Sequence, residues 1–351
     1  MTTGKDFSSD NAAAAHPAVM AALARANEGT ALGYGGDDLT AKLKDRFSEL
    51  FGRKVWTFPM LTGTAANAVA LATLAPAFGA IFCHEEAHIL VDECGATEMM
   101  SGGARLVALP GEGGRIDGAA LEATAARTPK TVMHNIQPAA LSLTQATECG
   151  TVYSPADVKR LTGVARKLGL KVHMDGARFA NAVVSAGVSP AALSVDAGVD
   201  VLCFGGTKNG ALAAEAMIFF DEALAETAIY RQKRAGQVAS KMRFVSAQLL
   251  ALLDQDLWLQ TARGANACAK ALGLGAAELG AQPRYPVEIN EVFLTLPHAA
   301  AGRLRADGFK FQSWGPELAR GVGLYRFVAS FATERQDVDG LLRALKGALA
   351  G

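Results

Sequence analysis

Between residues 55 and 204 short apolar runs alternate with helical stretches, and this alternation restricts the fold more than any other feature of the chain. The runs at 80–83, 105–108, 131–134, 171–173 and 201–204 are short, those at 80–83 and 201–204 apolar throughout and the others apolar in their central positions. A run of that kind suits a strand buried on both faces, and such strands belong to parallel sheets covered by helices on each side. Helical patterns at 16–27, 39–51, 65–74 and 154–167 supply the covering layers, and a further strand is expected over 55–61. The predicted class is therefore α/β, a mainly parallel sheet flanked by helices.

From about residue 247 the texture changes to a long helical region, 247–279, then a strand over 288–296, a helix, a strand and a last helix near 337–349. That order suits a smaller α+β domain, so the chain divides into a large domain over 1–248 and a small one over 249–351. Of its 351 residues half are apolar and 19% charged, enough to bury a substantial core. Thirty-four basic residues balance thirty-four acidic ones, without a block of one sign. This argues against nucleic acid and membrane surfaces and for small molecules or other subunits as partners. The polar start, residues 1–11, does not read as a targeting segment, and no run approaches the ~20 apolar residues that span a bilayer. A cytoplasmic location is expected. The five cysteines are widely spaced with no C-x-x-C, and read as reduced thiols.

Three segments stand at strand-to-loop junctions, where open α/β sheets carry their ligands. The first, LTGTAAN at 61–67, places Gly63 and Thr64 where a helix begins. Helix N-termini attract phosphate, and glycine lets it come close to the backbone. An ordinary capped helix start has the same look. The second, KVHMDGAR at 171–178, ends a strand on Asp175 with Arg178 three residues on. A carboxylate there can keep a pyridinium nitrogen protonated, as pyridoxal phosphate (PLP) chemistry requires; a plain ion pair is the bland alternative. The third, VLCFGGTKNG at 201–210, ends an apolar strand on a glycine-flanked Lys208. A partly desolvated lysine forms Schiff bases, whereas a snorkelling surface lysine would need no such setting.

These three segments, with FSSDN near the start and AHILVDECG at 87–95, together resemble the threonine aldolases of the threonine aldolase and beta-eliminating lyase family. That resemblance implies the aspartate-aminotransferase-like PLP fold (fold type I), with a seven-stranded sheet and PLP as cofactor. It implies Lys208 as the Schiff-base lysine, Asp175 at the pyridine nitrogen, Gly63, Thr64 and Thr207 as cofactor contacts, and His88 stacked on the ring. Ser9, Arg178 and Arg326 match groups that hold the substrate carboxylate, Arg178 also lying close to the cofactor. A homotetramer with active sites at subunit interfaces is implied too. One departure stands out: relatives carry a second histidine in a loop that reads Gln145-Ala146-Thr147-Glu148 here.

The activity implied is reversible cleavage of threonine, allo-threonine and related β-hydroxy-α-amino acids to glycine and an aldehyde. A phenylserine-type aldolase or a β-eliminating lyase would use the same lysine and aspartate. His88 and His84 are the candidates for handling the β-hydroxyl proton. Tyr34, Lys233 and Arg243 are further candidates for the site, each with a structural alternative: an interface tyrosine and a solvated helix face. No metal-ligand set is evident, although His84-Glu85-Glu86-Ala87-His88 fits the H-E-x-x-H of zinc hydrolases in spacing. That motif belongs inside a helix, and here it follows a predicted strand directly.

Overall fold

The computed structural model describes residues 3–128 and 130–350. Its main sheet has seven strands: β1 (Trp56–Met60), β2 (Gly79–His84), β3 (Arg105–Leu109), β4 (Gln137–Thr144), β5 (Lys171–Gly176), β6 (Val201–Gly205) and β7 (Glu215–Phe219). Their order is β1-β7-β6-β5-β4-β2-β3, parallel from β6 to β3, with β7 antiparallel to both of its neighbours.

Strand period decides what each face buries. β2 sends Ala80 and Phe82 into one apolar cluster and Ile81 and Cys83 into another, and β7 divides Ala216 and Ile218 from Met217 and Phe219 in the same way. Each fully buried Phe or Ile contributes about 1.5–3 kcal/mol, so a one-residue slip is strongly disfavoured. Helix α1 (Pro17–Ala26) and helix α2 (Asp38–Phe51) cover the first side through Val19, Leu43 and Phe47. Helix α3 (Gly63–Leu74), nearly all small or apolar, is embedded in the second through Ala66, Val69 and Leu71.

Two expectations needed correction. The run 131–134 is no strand: Thr131 has a left-handed φ of 69° and Met133 is 90% exposed. Gln137 holds that turn, accepting from the Thr131 N–H and donating to the Val132 and Asn135 carbonyls, and the strand starts at Gln137 itself. The helical region 247–279 is likewise two helices, Arg243–Leu253 and Leu257–Glu278, because Gln255 and Asp256 turn left-handed between them.

Beyond the main sheet, β8 (Glu291–Pro297), β9 (Gln312–Ala319) and β10 (Val322–Val328) form an antiparallel sheet in the order β8-β10-β9. A separate apolar cluster joins it to the helices Leu257–Glu278, His298–Ala306 and Arg335–Ala350. Phe7 is buried in that cluster; its N–H donates to the Lys310 carbonyl at 2.8 Å and its carbonyl accepts from the Val328 N–H at 2.8 Å. The N-terminal segment is thereby tied to the small sheet, which fixes where Ser9 and Asp10 lie.

Candidate active site

The chain leaves β1, β2, β4, β5 and β6 on one edge of the main sheet, and β7 enters there, since Glu215 pairs with both Met60 and Gly205. A cavity of about 530 Å³ opens on this edge, lined among others by Gly63, Thr64, Asn67, His88, Asp175, Thr207, Lys208 and Glu215.

Lys208 follows β6 in a tight turn. A side chain at Gly205 would strike the Ala177 backbone, and one at Gly206 the Ala214 carbonyl, so two glycines are what let the lysine loop fold against its neighbours. Asn209 anchors the turn by donating to the Trp258 carbonyl and accepting from the Thr261 hydroxyl, each at 2.8 Å. Beneath it, Glu215 accepts from the Gly206 N–H at 3.0 Å, and burial pushes its carboxyl up to about 7.

Asp175 is buried near the end of β5. One of its oxygens accepts from the Ala177 N–H at 3.0 Å and the other from the Asn67 amide at 2.9 Å. The same Asn67 nitrogen donates to Glu93 at 2.9 Å, and Glu93 lies 2.9 Å from Nδ1 of His88. A continuous chain therefore runs His88–Glu93–Asn67–Asp175. The bond to Glu93 raises the His88 pKa, and Glu93 is itself raised, chiefly by burial, so the pair holds a proton more firmly than isolated groups would.

Gly63 and Thr64 stand in the first turn of α3, where amides have no intrahelical carbonyl to meet. A side chain at Gly63 would meet no atom within 4 Å, so the backbone there is open to a ligand. The free amides, the buried carboxylate of Asp175 and the lysine in the same cavity fit PLP: a group for its phosphate, one for its ring nitrogen and an amine to take its aldehyde.

Arg178 does not line this cavity. It is buried, and donates through Nε and Nη2 to Asp10 at 2.8 and 3.1 Å, with Glu291 3.3 Å from Nη2. Burial would raise the Asp10 carboxyl, but Arg178 and Lys208 outweigh it and hold it below its ordinary value. Burial likewise works against the Arg178 charge, which Asp10 and Glu291 more than restore. Arg326, on β10, places Nη1 3.6 Å from the same Glu291 and lies 4.5 Å over the Trp314 ring. Ser9 caps the turn that begins at Asp10, accepting from the Asn11 N–H at 3.1 Å.

The other sequence candidates lie apart in this chain. His84 accepts from the Glu86 N–H, its Nε2 is 3.2 Å from the Gly111 carbonyl, and it faces a different cavity of about 410 Å³ beside Cys149 and Tyr285. His84 ends β2 and His88 begins the helix His88–Val91, so the two never share the helix that zinc hydrolysis needs. Tyr34 and Lys233 contact each other, ammonium 4.7 Å from the ring, at a third cavity of about 630 Å³. Arg243 donates to the Ala26 carbonyl at the end of α1. Reading the sequence gave no role to Asn67, Glu93, Asp10, Glu215 or Glu291. Three of these sat inside the motifs themselves, and the signal for the others was an acid opening an apolar strand.

A model of the beta-eliminating lyase family matches residues 6–299. The chain belongs to the beta-eliminating lyase family. It is 43% identical to a low specificity L-threonine aldolase of Pseudomonas aeruginosa over 97% of both chains, and 41% identical to another from a Pseudomonas species over 99% of this chain and 98% of that one. Among solved structures, a Leishmania major threonine aldolase superposes with a TM-score of 0.92 at 26% identity, covering 98% of this chain and 99% of that chain. A serine palmitoyltransferase with PLP shares the fold at a TM-score of 0.73 and 16% identity, covering 98% of this chain and 86% of that chain. The fold is that of fold-type I PLP enzymes, as the sequence motifs implied.

Proposed function

We propose that this protein is a PLP-dependent threonine aldolase of low specificity, cleaving threonine and related β-hydroxy-α-amino acids to glycine and an aldehyde. The observation that carries the reading is the meeting of Lys208, Asp175 and His88 with the open α3 N-terminus in one cavity, in a chain so similar to L-threonine aldolases along its whole length. Lys208 is the amine for the cofactor's aldehyde, Asp175 the partner of its ring nitrogen, Gly63 and Thr64 the phosphate contacts, and Thr207 a further cofactor contact. When bound, PLP supplies the electron sink for the bond that breaks.

The chain's own groups do the rest. Arg178, Arg326 and Ser9 hold the substrate carboxylate, which orients the Cα–Cβ bond for cleavage. His88, on the cavity wall and backed by Glu93, takes the β-hydroxyl proton as that bond breaks and the aldehyde forms. His84, facing another cavity, is the weaker candidate for this step.

The chain acts on this reading as a homotetramer with its sites at subunit interfaces. In support, Tyr34, Ile229 and Tyr230 are exposed together at one cavity, which would seat Tyr34 and Lys233 near a neighbour. We assign it to the cytoplasm, in keeping with five free cysteines; no helix of the described residues is long and apolar enough to cross a membrane. The division at residues 248 and 249 is supported by the second apolar cluster, drawn from Phe7 and residues 269–348.

The test is a visible spectrum of the purified protein with PLP, before and after L-threonine, with acetaldehyde assayed in the same cuvette. A cofactor band with acetaldehyde supports the reading. A band with 2-oxobutanoate and ammonia instead would make the protein a β-eliminating lyase, and no band after added PLP would overturn the cofactor assignment.

A further inference from the structure

Glu291 is the least explained charged group in the molecule. It opens β8, is 1% exposed, and neither of its carboxylate oxygens accepts a hydrogen bond from a described residue. Antiparallel register sets Phe293 opposite Arg326, and Glu291, two residues along, projects to the same face of the small sheet. Its Oε1 lies 3.3 Å from Arg178 and 3.6 Å from Arg326, between two guanidiniums and bonded to neither. The Arg326 Nε is buried and also lacks a partner.

Charge counting gives this placement a consequence. The charged groups that face Glu291 are Arg178, Arg326, Glu148 and Asp10, two cations against three carboxyl groups once Glu291 itself is included, and the Cys149 thiol beside them is pushed up to about 11, chiefly by burial, and so adds no charge. Asp10 is committed to Arg178 by two hydrogen bonds. A substrate carboxylate arriving at the arginines would raise the count to four carboxyl groups against two cations in a site shielded from water, where like charges are costly. Of the resident acids, Glu291 alone combines contact with both arginines and the absence of any hydrogen bond, so it loses least by giving up its charge.

We propose that Glu291 is a resident counter-carboxylate of the substrate site: it neutralises Arg178 and Arg326 when the site is free and takes up one proton from solvent when an amino acid's carboxylate replaces it there. This rests on the proposal that those arginines bind the substrate carboxylate. The proton is returned when the carboxylate leaves, so nothing is consumed. Burial, with Glu148 and Asp10 nearby, pushes the Glu291 carboxyl up to about 7 even against the two arginines, which puts the exchange near neutral pH.

The experiment uses the PLP-loaded protein and 3-hydroxybutanoate, which carries the carboxylate and the hydroxyl but no amine, so that no covalent step adds protons of its own. Calorimetric titration at pH 8 in phosphate and in Tris reads proton uptake from the difference in heat. The wild type should take up close to one proton, and its Kd should rise by up to tenfold for each pH unit above 7. Glu291→Gln, which keeps the shape and a hydrogen-bond acceptor, should take up none and bind about tenfold tighter at pH 8, with a flat pH profile. Wild-type binding without proton uptake would overturn the proposal whether or not the variant folds. So would equal uptake in Glu291→Gln, or its abolition in Glu148→Gln instead. Arg326→Ala separates the two readings: unchanged affinity in that variant would overturn the carboxylate site itself, whereas weakened affinity without wild-type proton uptake would overturn only the role of Glu291.

Discussion

Replacing Asn67 tests the network that ties His88 to Asp175. Asn67→Leu keeps the branched outline of the side chain and removes both donors, leaving Glu93 and Asp175 each short of one hydrogen bond of 2.9 Å. A hydrogen bond to a charged group contributes about 1.5–3 kcal/mol, so two of them on one nitrogen set a loss of at least about 3 kcal/mol at pH 7. Asn67→Ala should cost about half as much, because Asn67 borders the open cavity and a water can enter the space to bridge the two acids. The sign of the pH effect separates this reasoning from simple overpacking. Glu93 already holds its proton more firmly than an ordinary glutamate, and losing a donor strengthens that hold further. On acidification from pH 7 toward 5, Glu93 is therefore protonated to a greater extent in the variant than in the wild type and the deficit shrinks, whereas a steric penalty would not change. Urea unfolding of the cofactor-free protein at the two pH values, read by tryptophan fluorescence, measures both quantities. A deficit for Asn67→Leu below about 1 kcal/mol, or one that is constant with pH, would refute the network as the source of the stability.

Glu215→Gln should flatten the loss of stability with rising pH. A carboxyl raised to about 7 stabilises the fold fully below its unfolded value and loses that contribution as pH climbs through 7, so the variant should match the wild type near pH 5 and exceed it at pH 8 in thermal melts of the cofactor-free protein. A variant that melts lower at pH 8 would sink this. For Glu93→Gln the His88 pKa should fall, since the group that raises it most is neutralised; histidine NMR titration would show it, and an unmoved His88 resonance would contradict the pairing. Gly205→Ala should destabilise by about 1–3 kcal/mol or prevent folding, because the added methyl meets backbone at Ala177 rather than a side chain that could move. Lys208→Ala should still bind PLP but without the Schiff-base band, and should lose nearly all turnover while melting close to the wild type; normal turnover would end its assignment.

What the sequence showed and hid divides along one line. Features set by the local chain were readable: the apolar strands ending at His84, Gly176 and Gly205, the helix start at Gly63, and the glycines that flank Lys208. The turn at 131–134 misled because its apolar residues sit next to a strand, 137–144, whose own run opens with Gln-Pro. The break at Gln255 and Asp256 left no glycine or proline to mark it. Partners set by long-range packing were not readable. Asp10 meets Arg178 across 168 positions, and Glu93 reaches Asp175 only through Asn67. All three lie inside segments that a motif comparison picks out, yet nothing in a linear pattern says which acid a given arginine or amide will face.

That distinction bears on how such a site is built. A lysine and two arginines gathered about Asp10 and Glu291, partly or wholly buried, could not stand unopposed, since an uncompensated buried charge costs several kcal/mol. The fold answers with acids drawn from separate elements: Asp10 from the N-terminal segment, Glu215 and Glu291 each from the first position of a strand, Glu93 from the loop after the helix His88–Val91. Each cation has its own way of being balanced, and the ways differ. Asp10 is locked to Arg178 by two bonds and stays charged, which makes that pair a fixed part of the scaffold. Glu215 and Glu291 are both pushed toward neutrality by burial, and of the two Glu291 is the one beside the arginines. A substrate that brings its own carboxylate needs the second kind of neighbour beside its arginines, and Glu291 is of that kind, standing between Arg178 and Arg326.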